Sequence, residues 1–135
     1  MAVGVRDMVR ELQGRVHAVT VPEVKEAIDS GKVDFLIDVR DASEYRNGHL
    51  PGARNVSRGM LELTLDPSAP MPDSEIAGKW ASSIIVYCFR APGFRSLAAA
   101  DTLARMGYTN VRQLAGGVDG WAAEGLPIES DEKAP

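Results

Sequence analysis

The chain has 135 residues, 44% of them hydrophobic and 25% charged, which suits one soluble domain with a single core. Its net charge of −4 argues against nucleic acid as the main partner, and no apolar run approaches the length that spans a bilayer. One cysteine, Cys88, excludes an internal disulfide and fits a reducing, cytoplasmic setting; residues 1–15 lack the apolar core of a secretory leader.

In chain order, Val5, Met8, Val9 and Leu12 predict a short amphipathic helix within residues 1–14. Residues 16–19 alternate weakly and predict an edge strand. Thr20-Val21-Pro22-Glu23 is a helix start, with Thr as cap, Pro in the first turn and Glu three residues after the cap. This helix is expected to reach Ser30 and stop at Gly31. Phe35-Leu36-Ile37-Asp38-Val39 reads as a buried strand ending in charge. A short helix over residues 42–47 stops at Gly48, Leu50-Pro51-Gly52 is a turn, and residues 53–56 form a short strand.

Ser57 is expected to cap a helix through Leu63, and residues 67–72 form a proline-rich surface connection. Ser83-Ile84-Ile85-Val86-Tyr87 predicts a buried strand, and residues 110–114 a last one. Gly116-Gly117 leads into a helix through Trp121 and Ala122 that stops near Gly125. Strands alternate with helices, which predicts an α/β fold with a mostly parallel sheet covered on both faces. Ligands of such sheets sit at the carboxyl ends of strands.

Cys88 is at such an end. It opens a short loop, Phe89-Arg90-Ala91-Pro92-Gly93-Phe94-Arg95, and a helix is expected from Ser96 to Met106. A thiol between a strand end and a helix N-terminus meets free backbone N–H groups and the positive end of the helix dipole. That setting favours an anionic sulfur, which is the nucleophile. Of eleven arginines, Arg90 and Arg95 are the two placed to hold an oxyanion in a guanidinium fork. Without its flanking motifs, a lone cysteine at a strand end is more often a small buried hydrophobe than a nucleophile. Asp38 and Arg40, at another strand end, read as a pair orienting the nearby loops. His49 reads as a hydrogen-bonded structural histidine. Two distant histidines and one cysteine give no metal-site spacing.

Several blocks in order resemble the rhodanese family of sulfurtransferases. Ile37-Asp38-Val39-Arg40, then Glu44-Tyr45 and Gly48-His49-Leu50-Pro51-Gly52-Ala53-Arg54-Asn55-Val56, are similar to its first signature. Gly107-Tyr108-Thr109-Asn110-Val111, Leu114-Ala115-Gly116-Gly117 and Trp121 are similar to its C-terminal signature. Ser57-Arg58-Gly59-Met60-Leu61-Glu62 resembles a stretch of small single-domain members. The resemblance covers residues 16–128. It implies a three-layer sandwich around a five-stranded, mostly parallel sheet. It also implies a rhodanese-like domain over residues 16–129; around it a helical extension over residues 1–15 and a flexible tail over residues 130–135 are expected.

The resemblance further implies that Cys88 takes sulfane sulfur from thiosulfate or a related donor as a persulfide. A thiol, cyanide or a protein cysteine then accepts it, and no metal or organic cofactor is required. Donor binding falls to Phe89, Arg90, Ala91, Gly93, Phe94, Arg95 and Ser96, with Asp38 and Arg40 behind them. The loop departs from the pattern: family members have four residues between cysteine and closing arginine, whereas six separate Cys88 from Arg95. Ala91-Pro92 reads as a two-residue insertion. An outward bulge, a wider pocket and a spoiled amide cradle are all compatible with it. Cell-cycle dual-specificity phosphatases, with five, do not fit either. A non-catalytic binding module and a cysteine-dependent phosphatase or arsenate reductase are the alternatives to sulfur transfer.

Overall fold

The computed structural model describes residues 2–131; residues 132–135, part of the expected tail, lie outside the described residues. Five strands form one sheet: β1 (Ala18–Val19), β2 (Phe35–Asp38), β3 (Arg54–Asn55), β4 (Ile84–Tyr87) and β5 (Val111–Leu114), in the order β1-β5-β4-β2-β3. Every pairing is parallel. The sheet is therefore the expected one, without an antiparallel member among its named strands. The outer strands β1 and β3 are two residues long, and β3 is shorter than the expected residues 53–56.

β4 lies between β5 and β2, and its four apolar residues are all fully buried, as a central parallel strand demands. Its side chains alternate. Ile84, Val86 and Cys88 join Ile37, Val39, Leu61 and Leu103 in one half of the core. Ile85 and Tyr87 join Leu36, Val24, Leu114 and Trp121 in the other. Helices α4 (Leu61–Leu65) and α5 (Phe94–Met106) cover the first face, and α2 (Val21–Asp29) and α6 (Gly117–Ala123) the second.

Helix α2 starts as expected: Glu23 N–H donates to Thr20 Oγ1 at 3.3 Å, and Glu23 Oε1 accepts from Thr20 N–H at 2.9 Å. The expected cap at Ser57 differs. Residues Arg58–Met60 make a 3-10 turn before α4, and the Ser57 side chain caps nothing. Arg58 N–H instead donates to Val39 O at 3.0 Å, so the turn is fixed by β2's exit rather than by a hydroxyl. A six-residue helix α3 (Ala42–Asn47) stops at Gly48.

The N-terminal helix α1 is Val5–Gln13. It packs on α5 through buried Leu12 and through Arg15, just past its end, whose Nε donates to Asp101 at 3.0 Å. At the other terminus, Glu129 pairs with His49 through two backbone bonds of 2.9 Å. Ser130 Oγ and Asp131 N–H both donate to Arg46 O at 3.0 Å. Among the described residues no helix is long and apolar enough to cross a membrane.

Candidate active site

β4 carries Cys88 to its carboxyl end, on the α4/α5 face, with 4% of its surface exposed. Five residues later the chain turns at Gly93, where φ is +78°. A Cβ there would lie 2.7 Å from Gln113 Nε2, 2.8 Å from Ser96 Oγ and 3.3 Å from Cys88 Sγ. Only glycine combines that φ with so close an approach to the sulfur. Helix α5 follows at once, at Phe94, two residues before its expected start at Ser96. The left-handed Gly93 turns the chain directly into the helix, so Phe94 and Arg95 belong to its first turn. The amides of Phe94, Arg95 and Ser96 have no intrahelical acceptor, and the first helical bond is Leu97 N–H to Gly93 O at 2.9 Å.

The far side of the loop is held by α6. Val118 N–H donates to Cys88 O at 3.1 Å, and Asp119 N–H to Phe89 O at 2.9 Å. Trans peptide geometry sets each N–H opposite its carbonyl, so the amides of Phe89 and Arg90 point away from α6. Gly117, at φ +61°, permits this contact: a Cβ on it would meet Phe89 O at 2.5 Å and Cys88 O at 2.7 Å. The Gly-Gly pair thus has a concrete task, which is to press a helix start against Cys88's own carbonyl.

Gln113 supplies the third restraint. It is buried on β5, and its Nε2 donates to Pro92 O at 3.0 Å, Gly93 O at 3.3 Å and Ser96 Oγ at 2.9 Å. Ser96, fully buried, lies 3.2 Å from Cys88 Sγ and 3.1 Å from Gly93 O. Because Gln113 occupies a Ser96 lone pair, the hydroxyl hydrogen is left for the sulfur or for Gly93 O. The sequence gives one signal for Gln113, a polar residue within a strand of the sheet's interior, and the strand reading alone passes over it.

Cys88 forms the floor of an open cleft of about 680 Å³. Phe89, Arg90, Pro92, Gly93, Phe94 and Arg95 line it from the loop and the start of α5. Val5, Arg6, Val9 and Arg10 line it from α1, a wall that periodicity alone does not place beside Cys88. Of the two extra loop residues, Ala91 is exposed and Pro92 is on the cleft wall, its carbonyl held by Gln113. Another open depression, of about 460 Å³, lies between α2 and residues 124–126; Lys25, Glu26 and Asp29 line it, and Cys88 is not part of its lining.

The two candidate arginines are differently engaged. Arg95 Nη1 and Nη2 donate to Glu44 at 2.7 and 3.2 Å. These bonds hold the Glu44 carboxyl below the ordinary glutamate range and raise the guanidinium above its own. The Arg90 guanidinium lies over the Phe89 ring, 4.9 Å from its centroid, on the exposed rim. Asp38 belongs to the opposite face of the sheet, beside Tyr87. Arg40 Nη2 donates to Asp38 Oδ2 at 2.7 Å and to Gly48 O at 2.6 Å, and both side chains are buried. Burial first, then the Asp38 charge, pushes the Tyr87 phenol above its ordinary range. It stays protonated and accepts the Leu50 N–H at 3.1 Å. His49 is buried, with Nδ1 2.8 Å from Tyr45 O.

Chemically, the site offers one thiol, a set of amides, a hydroxyl and guanidinium charge, which suits a nucleophile whose product is an anion on sulfur. The rhodanese-like domain model matches residues 20–124. The chain belongs to the rhodanese-like family. Among curated relatives, the chloroplastic thiosulfate sulfurtransferase 16 of Arabidopsis thaliana is 35% identical over 97 residues, 70% of this chain and 78% of that protein. The thiosulfate sulfurtransferase GlpE of Actinobacillus succinogenes is 36% identical over 98 residues, 70% and 75% of the two chains.

Among solved structures, a human single-domain sulfurtransferase is similar at 27% identity and TM-score 0.68, covering 79% of this chain and 96% of that one. A Rhodopseudomonas palustris protein of unknown function, described as a possible tyrosine phosphatase, is similar at 32% identity and TM-score 0.84 over 96% of both chains. The rhodanese-like match begins after α1, so the cleft wall formed by Val5, Arg6, Val9 and Arg10 is an addition to the matched domain.

Proposed function

We propose that the protein is a sulfurtransferase working through a Cys88 persulfide. The observation that carries this is the cradle at Cys88: a thiol on the floor of a cleft, beside the first turn of α5, with the carbonyls of residues 88 and 89 tied back by α6. In the first half-reaction the Cys88 thiolate attacks the outer sulfur of thiosulfate or a related donor. A Cys88 Sγ–S bond forms, the donor's S–S bond breaks, and sulfite leaves with the bonding pair. The persulfide anion is then stabilised by loop amides and by Ser96. In the second, a thiol, cyanide or a protein cysteine attacks the terminal sulfur and returns Cys88 as thiolate. No metal or organic cofactor enters this scheme, and the setting in which it runs is cytoplasmic.

Phe89, Arg90, Gly93, Phe94, Arg95 and Ser96 surround the donor in this reading, with Ala91 on the rim. Asp38 and Arg40 support the loops from the other face. The domain of residues 16–129 carries the chemistry. The R. palustris structure keeps one other chemistry in view, phosphate-ester hydrolysis by the same thiolate. Intact mass after incubation with thiosulfate separates the two: sulfur transfer adds one sulfur to wild type, none to Cys88→Ser, and cyanide removes it. Hydrolysis of an aryl phosphate with no such gain would assign the site to the phosphatase chemistry.

A further inference from the structure

The cleft offers more room, and more apolar wall, than thiosulfate uses. It measures about 680 Å³, within the range of roughly 300–1,000 Å³ that holds drug-sized ligands, while thiosulfate is a compact dianion without a carbon atom. Its composition is also unlike the rest of the molecule. The chain carries a net charge of −4, yet four arginines and no carboxylate line this cleft. Arg95 is neutralised by Glu44. Arg6 and Arg90 have no carboxylate partner among the described residues, and Arg10 has only a long, exposed contact of 3.8 Å to Asp7. Between these charges lie Val5, Val9, Phe89, Pro92 and Phe94.

Helix α1 explains how the wall is made. Val5, Val9 and Leu12 recur at helical spacing on one stripe. Leu12 is buried against α5, while Val5 is 57% exposed and Val9 half-buried. The lower end of the stripe thus anchors the helix, and the upper end is apolar surface left open beside the nucleophile, opposite exposed Phe89.

We propose that α1 is the specificity wall of the cleft, selecting an organic thiosulfonate, an apolar body bearing a sulfonyl head and a terminal sulfur, over inorganic thiosulfate. The apolar body packs between Val5, Val9 and Phe94, and the sulfonyl oxygens meet Arg6, Arg10 and Arg90 in the geometry that guanidinium forks favour. This rests on the sulfurtransferase reading for its chemistry. The Cys88 thiolate attacks the terminal sulfur, a Cys88 Sγ–S bond forms, the S–S bond to the sulfonyl group breaks, and a sulfinate leaves with the pair. Charge balances without a proton or an external reductant.

Two measurements test it. The first is kcat/KM for benzenethiosulfonate and for thiosulfate, each with cyanide as acceptor, in wild type and in Val5→Ser/Val9→Ser. The expected preference for the aryl donor in wild type is about tenfold or more, shrinking by about tenfold in the variant. Equal use of the donors, or an unchanged preference in the variant, overturns the proposal. The second is binding of naphthalene-2-sulfonate and of sulfate to Cys88→Ala, which reads the cleft without sulfur transfer. Aryl sulfonate is expected to bind about tenfold tighter than sulfate, and Val5→Ser/Val9→Ser to remove the difference. Binding as expected with no sulfur uptake by wild type from either donor would sink the sulfurtransferase reading and leave the cleft's selectivity standing. No difference between the two anions would sink the selectivity itself. The variant keeps Leu12, the buried anchor of α1, and circular dichroism and Tm of the variant check that the helix is retained.

Discussion

Two neighbouring strands end at the same edge of the sheet and do opposite things with their polar groups. At the end of β2, Asp38, Arg40, Gly48 O and Asn55 satisfy one another: Arg40 binds Asp38 and Gly48 O, and Asn55 Nδ2 donates to Asp38 O and Arg40 O at 3.1 and 2.9 Å. At the end of β4, the carbonyls of residues 88 and 89 are tied to α6, while the first amides of α5 are left without helical acceptors. One strand end is closed on itself; the other keeps free amides beside a thiol. In the proposed reaction it is this unspent hydrogen-bonding capacity around Cys88, rather than charge, that marks the site.

Breaking the closed end is expected to have the largest effect on stability. Arg40→Ala leaves the Asp38 carboxylate buried without its partner and is expected to cost about 3–5 kcal/mol, read by urea denaturation. The folded fraction should still take up sulfur, because Asp38 and Arg40 face away from Cys88. Loss of sulfur uptake in folded protein would place the pair in the reaction and blur the distinction.

Breaking the open end reverses the pattern. Gly117→Ala puts a Cβ against Phe89 O and Cys88 O, both backbone, at a φ that disfavours a side chain. The shift of the loop is expected to lower sulfur uptake about 100-fold, with a smaller fall in Tm than Arg40→Ala produces. Gln113→Leu sharpens the same end. It leaves the Pro92 and Gly93 carbonyls and Ser96 without their shared donor, and is expected to cost about 1–3 kcal/mol together with roughly tenfold in activity.

The smallest expected effect concerns the half-exposed link between the two ends, Glu44 with Arg95. The folded pKa of Glu44 is depressed, its hydrogen bonds from Arg95 being the chief cause. Its contribution is therefore complete above the ordinary value of 4.5 and is lost as pH falls through the lower folded value. Both side chains are about one-third exposed, so screening limits this contribution to under about 1 kcal/mol. Glu44→Gln should flatten that part of the stability-pH curve. It should also free Arg95 toward the cleft and lower KM for an anionic donor a few-fold; an unchanged KM would show that Arg95 does not meet the donor.

Much of this arrangement was legible in the residues. The apolar runs before Asp38 and Cys88 fixed the two central strands, and Thr20 with Glu23 fixed a helix start, because burial and capping are local patterns. Gly93 and Gly117 were visible as glycines, but their tasks depend on what they touch, atoms brought close only by the fold. The same holds for Gln113, which works across strands, and for α1, whose amphipathic stripe was plain while its position over Cys88 was not. Helix α5 starts two residues before the expected Ser96, because a left-handed Gly93 turns Phe94 and Arg95 into the helix, a conformation that local pattern does not reveal.

In the proposed reaction the open end of β4 makes Cys88 a sulfur carrier. Intact mass after incubation with excess thiosulfate or benzenethiosulfonate, beside Cys88→Ser, tests it most directly. One added sulfur atom is expected on wild type, none on the variant, with its removal by cyanide. No gain from either donor, or an equal gain on Cys88→Ser, would contradict it.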